Sequence, residues 1–386
     1  MSSATLTTRL KDEARRLGFE LAGACPAVEP PGISRFGEWL SLGYAGEMSY
    51  LANREAAYRH PSHVLDGARS VLMLAMHYRT REPQPARPGY GQVSRYAWGA
   101  DYHDLIRGRL NELSAWLERE RPGAVARGVV DTAPLLEREF AQLAGLGWIG
   151  KNSLLINKWT GSWFFLAALV TDEELQYDSP HEADHCGTCR ACLDACPTGA
   201  LVAPGVLDAR RCVSYLTIEL RSDIPAELRP GVGDWLYGCD ICQEVCPWNS
   251  KAPLSSEPAF DPSPGQESLE LAPLFSLDDE AFRRRFRRSP LWRAKRRGLL
   301  RNAAIVLGNQ RCGEALPALV VGLADAEPLV RAACGWAIGQ IAGGSPASAP
   351  VTEPRAAAIA ALRKRLACEQ DPLAREELAG AIASLE

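Results

Sequence analysis

Two runs of closely spaced cysteines constrain this chain more than any other feature. The runs are Cys186-x2-Cys189-x2-Cys192-x3-Cys196-Pro197 and Cys239-x2-Cys242-x3-Cys246-Pro247, with Cys212 upstream of the second. Cysteine runs of this spacing that end at a proline are typical of bacterial ferredoxins. In those proteins three thiolates of a run bind one [4Fe–4S] cluster, and the fourth binds the neighbouring cluster. The spacing therefore predicts two clusters and the transfer of single electrons.

Crossed ligation divides the eight cysteines into two sets. The first set is Cys186, Cys189, Cys192 and Cys246, and the second is Cys196, Cys212, Cys239 and Cys242. Zinc is a weaker interpretation, because structural zinc sites usually use two separated pairs of ligands. Disulfides need an oxidising compartment. Residues 1–17 contain no apolar signal core, so we expect a cytoplasmic protein with reduced thiols.

Charge is distributed unevenly along the chain. The net charge is −4, yet Arg283 to Arg301 contains ten Lys or Arg residues and no Asp or Glu. Such a segment favours a polyanionic partner, most simply a nucleic acid, although a solvated helix face is the alternative. The candidate contacts are Arg283, Arg284, Arg285, Arg287, Arg288, Arg296 and Arg297. No apolar run is long enough to cross a membrane.

The pattern of elements predicts a multidomain α+β protein. Residues 1–180 mix predicted strands and helices, including a buried strand at Ser70–His77, and form an α/β domain. Residues 181–250 form the two-cluster domain, and residues 251–290 a covering linker that contains much of the basic run. A short strand at Arg127–Val130 would present Asp131 at its end, and a helix is predicted over Pro134–Leu146.

Residues 291–386 contain an internal repeat. The segment beginning at Leu299 aligns with the one beginning at Val330, at an offset of 31 residues, and a third copy begins at Ala374 after a Gly343-Gly344-Ser345-Pro346 spacer. Paired helices with small residues at their contacts are typical of HEAT-like solenoids, which bind large partners. A plain helical cap on the core is the alternative.

These motifs together resemble the epoxyqueuosine reductase family over nearly the whole chain. The resemblance is carried by the cysteine runs, the Asp131-Thr132-Ala133-Pro134 segment, the Gly147-Trp148-Ile149-Gly150-Lys151-Asn152 loop and the helical repeats. It implies a nitroreductase-like cobalamin domain, a ferredoxin-like domain and a HEAT-like domain that binds tRNA. The implied reaction converts epoxyqueuosine to queuosine at the anticodon wobble position, using cob(I)alamin that receives electrons through the two clusters.

The resemblance also implies roles for particular residues. Asp131, partly desolvated by cofactor and substrate, would give a proton to the departing epoxide oxygen; a helix-start residue is the alternative for it. The predicted cofactor contacts are Arg54, Tyr96, Trp98, Asp131, Arg138, Lys151, Asn152, Ser153 and Ser214. Tyr96 and Trp98 could equally be core residues, and Arg138 could form a surface salt bridge. The chain offers no convincing histidine metal site, but His103 merits a test.

The expected partners are a tRNA anticodon stem-loop and an external one-electron donor such as flavodoxin or ferredoxin, with the chain itself a monomer. Two other classes of function remain open from the sequence. A dehalogenase-like cobalamin reductase acting on a small molecule would not need the basic run or the repeats. An electron carrier without chemistry of its own would not need an α/β domain that presents a carboxylate.

Overall fold

Eleven strands and fifteen α-helices occupy residues 5–343 and 353–385, the part of the chain that this computed structural model describes. The strands are β1 (Leu21–Pro26), β2 (Ser70–His77), β3 (Tyr90–Val93), β4 (Ala126–Val129), β5 (Trp148–Ile149), β6 (Leu155–Ile156), β7 (Phe164–Thr171), β8 (Leu201–Ala203), β9 (Val206–Leu207), β10 (Trp235–Tyr237) and β11 (Ser268–Glu270).

The helices divide between the mixed α/β part and a helical C-terminal part. They are α1 (Leu6–Arg16), α2 (Ile33–Ser41), α3 (Ser49–Ala52), α4 (Tyr102–Glu120), α5 (Glu137–Leu143), α6 (Ala191–Ala195), α7 (Val213–Ile218), α8 (Arg229–Val232), α9 (Ile241–Glu244), α10 (Asp279–Phe286), α11 (Lys295–Asn309), α12 (Leu316–Gly322), α13 (Pro328–Gly343), α14 (Glu353–Cys368) and α15 (Pro372–Ala383). None of the described helices is long and apolar enough to cross a membrane.

The chain divides into two units, each assembled from separate stretches of sequence. Unit 1 contains the described residues up to Arg81, Asp101–Arg210 and Asp240–Asp261. Unit 2 contains Glu82–Ala100, Arg211–Cys239 and the described residues from Pro262 onwards. The domain boundaries predicted from the sequence, at residues 180, 250 and 290, divide the chain into consecutive segments. They stay predictions.

Unit 1 is built on an antiparallel sheet of order β1-β2-β7-β4. Every residue of the central strand β2 is buried, which explains why its sequence, SVLMLAMH, is almost wholly apolar. On one face Val71 and Met73 belong to a core that includes Phe140 of α5. The strand predicted at Ser70–His77 is confirmed.

The edge strand β4 lies close to α4, and this contact positions the candidate site. A Cβ atom at Gly128 would lie 2.6 Å from the Cβ atom of Leu110, so a larger residue would push α4 away from the strand. Asp101 accepts a hydrogen bond from the amide of His103 and caps the start of α4. Close packing at Gly128 therefore fixes the N-terminal turn of α4 near the end of β4.

The segment after β4 differs from the prediction of a helix over Pro134–Leu146. Helix α5 begins only at Glu137. Before it, the amides of Thr132, Leu135 and Glu137 each bond the carbonyl two residues earlier, which makes a series of tight turns. The proline therefore precedes the helix and does not occupy its first turn.

Unit 2 contains a small sheet of order β10-β3-β11 and the helices α10 to α15. Helix α11 packs on α13, and α13 packs on α15. Glycines allow these approaches: a Cβ atom at Gly308 would lie 2.6 Å from Trp336, and one at Gly339 would lie 2.9 Å from Ala381. Small residues therefore lie at the helix contacts, as expected. In the predicted spacer, residues 344–346 lie outside the described part of the chain.

Candidate active site and cysteine cavity

A strained turn after β4 presents Asp131. Its backbone φ is 58°, in the left-handed region that residues other than glycine rarely adopt. The amide of Asp131 donates to Glu137 Oε1 at 2.8 Å, and Arg54 Nη1 donates to the carbonyl oxygen of Thr132 at 3.1 Å. Backbone strain of this kind costs about 1–3 kcal/mol and tends to occur at functional sites. The turn is therefore the first candidate for an active site.

Two side chains from the start of α4 contact the Asp131 carboxylate. His103 Nε2 lies 3.1 Å from Asp131 Oδ2, and the Tyr102 hydroxyl donates to the same oxygen at 3.3 Å. On its other side, His103 Nδ1 lies 2.8 Å from Asp101 Oδ1. The Tyr102 ring stacks on Phe165, with the ring centroids 4.0 Å apart. A carboxylate, an imidazole and a phenol are thus fixed together at the sheet edge.

His103 is protonated at neutral pH. Burial lowers its pKa, but hydrogen bonds and charges of Asp101 and Asp131 outweigh burial and raise the pKa to about 9. A doubly protonated imidazole donates from both nitrogens, which matches a carboxylate at each of them. His103 therefore holds an exchangeable proton 3.1 Å from Asp131.

Glu137 is a second group that holds a proton beside this turn. Burial first, and then the Asp131 carboxylate, raise the pKa of Glu137 to about 8. Its carboxyl is therefore mostly protonated at neutral pH, while Oε1 accepts the hydrogen bond from the Asp131 amide. Asp131, which is 62% exposed, has proton-holding groups on two sides.

Sequence reasoning identified Asp131 and marked His103 for testing, but it missed Tyr102, Asp101 and Glu137. The sequence Asp101-Tyr102-His103 at a predicted helix start was the available signal for the first two. No comparable signal exists for Glu137, because its contact depends on the left-handed turn at Asp131.

Arg138 and Ser153, both predicted cofactor contacts, are joined to each other. Arg138 Nη1 donates to the carbonyl oxygen of Ser153, and Ser153 has a φ of 64° in the turn before β6. Arg138 is exposed and Ser153 is half-buried. Arg54, which binds the Thr132 carbonyl, and Arg138, which follows Glu137, are thus two exposed guanidinium groups near the Asp131 turn.

Four cysteines of unit 1 line one cavity. Cys186, Cys189, Cys192 and Cys246 surround it together with Trp248. Cys186 lies in the loop before α6, Cys192 lies in the first turn of α6, and Cys246 follows α9, which packs on α6. The cavity thus brings together the four members of the first predicted ligand set.

Lys151 and Asn152 also line this cysteine cavity. Lys151 Nζ donates to the carbonyl oxygens of Gly187 at 2.5 Å and Cys189 at 2.9 Å. Asn152 is buried, and its Nδ2 lies 3.4 Å from the carbonyl oxygen of Cys242. Both side chains therefore hold the cysteine loops, whereas the sequence analysis assigned them to a corrin.

The cysteine cavity presents four thiols, the number of protein ligands that one [4Fe–4S] cluster needs. Among the described residues, no group of three or more His, Cys, Asp or Glu side chains is close enough to hold one ion. A cubane spreads its four thiolates around four irons and needs no such convergence. The Trp148 Nε1–H, 3.5 Å from Cys186 Sγ, supplies a hydrogen bond of the kind that tunes cluster potentials.

The second predicted ligand set is divided between the units. Cys196 and Cys242 belong to unit 1, and Cys212 and Cys239 belong to unit 2. Within unit 1 the amide of Ala200 donates to Cys196 Sγ at 3.3 Å. The assignment of these four cysteines to one cluster stays a prediction.

Three further predicted cofactor contacts lie in unit 2. Trp98 is only 1% exposed and its Nε1 donates to the carbonyl oxygen of Val93 at 2.6 Å, so burial favours the core alternative for it. Tyr96 is half-buried, with its ring 6.2 Å from that of Tyr237. Ser214 lies half-buried in α7.

Six of the seven candidate nucleic-acid contacts in the basic segment are exposed. Exposed side chains are those of Arg283, Arg284, Arg285, Arg287, Arg288 and Arg297. Arg296 is instead half-buried and donates to both carboxylate oxygens of Asp325 and to the carbonyl oxygen of Leu277. The assignment of Arg296 to a nucleic-acid contact stays a prediction, although the buried Asp325 carboxylate already neutralises its charge.

Two family models match the chain. The model described as "4Fe-4S double cluster binding domain" matches residues 185–249, the segment that contains all eight cysteines of the two runs. The model described as "Epoxyqueuosine reductase QueG, DUF1730" matches residues 59–132, which end one residue after Asp131. The double-cluster model supports iron–sulfur binding by this segment.

Relatives named epoxyqueuosine reductase are similar over most of their length. The Pseudomonas aeruginosa protein is 44% identical over 310 residues, 79% of this chain and 86% of the relative. The Escherichia coli K12 protein is 39% identical over 339 residues, 87% of this chain and 89% of the relative.

Solved structures agree with the whole fold. A selenomethionine-labelled epoxyqueuosine reductase superposes with a TM-score of 0.88 at 31% identity, covering 99% of both chains. An epoxyqueuosine reductase with an epoxyqueuosine-modified tRNA-Tyr stem-loop superposes with a TM-score of 0.89 at 32% identity, covering 98% of both chains. With its two cysteine runs, its Asp131 turn and this similarity along the chain, the protein belongs to the epoxyqueuosine reductase family.

Proposed function

We propose that this chain reduces epoxyqueuosine to queuosine at the wobble position of a tRNA anticodon. The observation that carries the proposal is the Asp131 turn, with proton-holding His103 and Glu137 in contact with it, in a chain of this family. Loss of the epoxide oxygen as water, leaving an alkene, consumes two electrons and two protons. The chain offers separate groups for the electrons and for the protons.

The electrons pass through two [4Fe–4S] clusters. Cys186, Cys189, Cys192 and Cys246 are proposed to hold one cluster, and their lining of a single cavity supports this. Cys196, Cys212, Cys239 and Cys242 are proposed to hold the other, on the strength of the ferredoxin spacing and the double-cluster match. An external one-electron donor such as flavodoxin or ferredoxin would reduce them.

Cobalamin is the proposed cofactor at the Asp131 turn. When bound, it supplies a strongly nucleophilic reduced cobalt that the side chains of the protein cannot supply. Arg54, Arg138 and Ser153 would hold the corrin amides at one side of the Asp131 turn. Tyr96, Ser214 and, with less support, Trp98 are the proposed contacts from unit 2.

The protons are delivered by Asp131. Its carboxyl group is exposed enough to meet a substrate and, in its protonated form, would give a proton to the departing epoxide oxygen, which leaves as water once it has taken up a second proton. His103, whose pKa is about 9, is the proton source in contact with Asp131: as negative charge develops on the departing oxygen, a proton would pass from His103 through Asp131 across the 3.1 Å contact, and solvent would then reprotonate His103. Tyr102 keeps the carboxylate oriented through its hydroxyl group. Glu137 holds the turn itself through the Asp131 amide.

The tRNA is bound mainly through its phosphates. The six exposed arginines of the basic segment support this role, since Lys and Arg side chains that neutralise phosphates give salt-sensitive affinity for nucleic acids. One of the six, Arg284, also pairs with the exposed Glu280. The target base must leave its stack to reach the Asp131 turn. We further propose that the C-terminal helices form a HEAT-like stack, that unit 1 is nitroreductase-like, and that the protein acts as a cytoplasmic monomer.

The proposed function is tested by single-turnover conversion of an epoxyqueuosine stem-loop by wild-type protein and by the Asp131→Asn variant. Asparagine cannot donate the carboxylic proton, so we expect conversion to slow at least 100-fold, with iron content and cobalamin binding unchanged. Asp12→Asn, which changes an exposed carboxylate of α1 outside the cysteine runs, is the control. Near-normal turnover by Asp131→Asn would refute the role of Asp131.

A further inference from the structure

A cavity of about 410 Å³ opens beside the Asp131 turn, entirely within unit 1. Its walls come from the segment before β2, from α4, from β4 and from Thr132–Pro134. A volume of this size falls within the range of small-molecule sites, about 300–1,000 Å³. The cavity is therefore large enough to receive part of a ligand that also reaches Asp131.

The cavity is positively charged. Arg54, Arg107 and Arg127 line it, and none of its thirteen described lining residues is an Asp or Glu. Three arginines around one concave surface repel one another, so an arrangement of this kind is stabilised by an anion.

Two of the three arginines bind backbone carbonyl groups, which carry no charge that could neutralise a guanidinium. Arg54 donates to the carbonyl oxygen of Thr132 at 3.1 Å, and Arg127 donates to that of Val64 at 2.9 Å. Arg107 Nη1 lies 3.5 Å from Asp104, and this pair is more than half exposed on both sides and therefore weak. A guanidinium has five N–H donors, so one carbonyl contact leaves donors for a ligand.

The geometry points to a phosphodiester subsite in this cavity, formed chiefly by Arg107 and Arg127 beside the Asp131 turn. The planar fork of arginine binds two phosphate oxygens at once, which a lysine cluster does not do. This inference rests on the proposed function, which supplies two phosphodiester sources. One is the RNA backbone next to the modified nucleotide, and the other is the nucleotide tail of cobalamin.

The experiment compares ligand binding by an Arg107→Gln/Arg127→Gln double variant and by wild-type protein. Arg54 is left intact, because it holds the Thr132 carbonyl of the catalytic turn. The matched control is Arg69→Gln/Arg121→Gln, which removes two charges from exposed residues of unit 1 outside the cavity. The probes are an anticodon stem-loop RNA at several salt concentrations, cobalamin, and cobinamide, which lacks the nucleotide tail.

A phosphodiester subsite predicts one of two results. If RNA supplies the phosphodiester, the double variant binds the stem-loop at least tenfold more weakly. The plot of log affinity against log salt concentration also becomes less steep, by about 1–2 units. If the cofactor supplies it, cobalamin binding weakens at least tenfold while cobinamide binding is unchanged.

Other results would overturn the inference. Binding that matches the control for all three probes, or equal weakening of cobalamin and cobinamide with the RNA unaffected, would show that the cavity holds no phosphodiester. Wild-type protein that binds neither RNA nor cobalamin would instead refute the proposed function, and this inference with it.

A second, independent observation concerns Thr217 in unit 2. Its side chain is fully buried, and its Oγ1 accepts a hydrogen bond from the amide of Gly238 at 2.9 Å. Cys212 is the residue immediately before α7, which contains Thr217, and Cys239 immediately follows Gly238. One hydroxyl therefore joins the two segments that carry the unit 2 cysteines.

Helix α11 strengthens this connection through two buried side chains. Asn302 Nδ2 donates to the carbonyl oxygens of Thr217 at 2.8 Å and Leu236 at 2.9 Å. Arg301, with no exposed surface, donates to the carbonyl oxygen of Leu216 at 2.5 Å. The end of α7 and the strand before Cys239 are thus held by the same turn of α11.

We infer that Thr217 is a positioning residue that sets the separation of Cys212 and Cys239 for the second cluster. Thr217→Val has nearly the same volume but leaves the Gly238 amide without its acceptor, whereas Thr217→Ser keeps the hydroxyl. Thr171→Val, at another fully buried threonine, is the control for loss of a hydroxyl in unit 1.

The readouts are iron per chain and the electron paramagnetic resonance spectrum of the reduced protein. We expect Thr217→Val to lose about four irons, or to shift the spectrum of one cluster only, and Thr217→Ser to restore both. Full iron content with an unchanged spectrum in Thr217→Val would overturn the inference. The inference would also be overturned if Thr217→Val lost both clusters and its circular dichroism spectrum became that of an unfolded protein, because the hydroxyl would then be needed for the folding of unit 2 as a whole.

Discussion

The hydrogen bond between His103 and Asp131 makes a quantitative prediction for the Asp131→Asn variant. The pKa of His103 is raised from 6.5 to about 9, which corresponds to about 3.4 kcal/mol of preference for the charged imidazole. Asp101 and Asp131 together produce this preference and also offset burial, which lowers the pKa of His103. Removing the charge of Asp131 should remove only the part of the rise in the His103 pKa that Asp131 causes.

The structure indicates how the two carboxylates share the effect. Asp101 lies 2.8 Å from His103 and is 26% exposed, whereas Asp131 lies 3.1 Å away and is 62% exposed. Because water screens an exposed pair, we assign Asp131 less than half of the shift, about one pKa unit or ~1.4 kcal/mol. The pKa of His103 should therefore fall from about 9 to about 8 in Asp131→Asn.

The assay is an NMR titration of ¹³C-labelled histidine, with the His103 signal assigned by its loss in His103→Gln. The control is Asp194→Asn, which removes an exposed carboxylate paired with Arg190 and should leave the pKa of His103 unchanged. A pKa of His103 that stays near 9 in Asp131→Asn would show that the two side chains do not interact in solution. A wild-type value near 6.5 would refute the whole network.

Three further predictions concern other residues of unit 1. The pKa of Glu137 is raised from 4.5 to about 8, so ionising this group destabilises the folded state. The free energy of unfolding, measured with urea, should therefore fall as the pH rises from about 4.5 to 8. The fall should be smaller in Glu137→Gln. An identical pH dependence would contradict this. Lys151→Met should release iron to a chelator at least threefold faster than wild type, because the Lys151 ammonium binds two carbonyl oxygens of the cysteine loop. Lys158→Met is the control and should release iron at the wild-type rate. Equal rates for the two variants would show that Lys151 does not stabilise the cysteine loop. Cys246→Ala should lose about four irons per chain, whereas Cys25→Ala, a buried thiol remote from both runs, should keep about eight. Full iron content in Cys246→Ala would refute the first ligand set.

Features set by local spacing were predictable from the sequence. The eight cysteines are recognisable because cluster ligation needs thiolates at fixed, short separations. The strand at Ser70–His77 was predictable because burial on both faces leaves an uninterrupted apolar run. Asp131 follows β4 as expected, since a short strand before it presents it at a sheet edge.

Features set by contacts between distant residues were not predictable. Arg296 was assigned to RNA, but Asp325, 29 residues later, neutralises it. Glu137 was missed because only the left-handed turn at Asp131 brings its carboxyl to the backbone. From the sequence Trp98 could be a core residue or a cofactor contact; its burial and its hydrogen bond to Val93 favour the core, and the cofactor contact stays a prediction.

The most direct test of the account is mass spectrometry of nucleosides from an epoxyqueuosine stem-loop incubated anaerobically with reconstituted wild-type protein, cobalamin and a one-electron reductant. The account predicts that the epoxide nucleoside disappears and that queuosine, lighter by one oxygen atom, replaces it. Unreacted epoxyqueuosine in the presence of protein that carries both clusters and has bound cobalamin would contradict it.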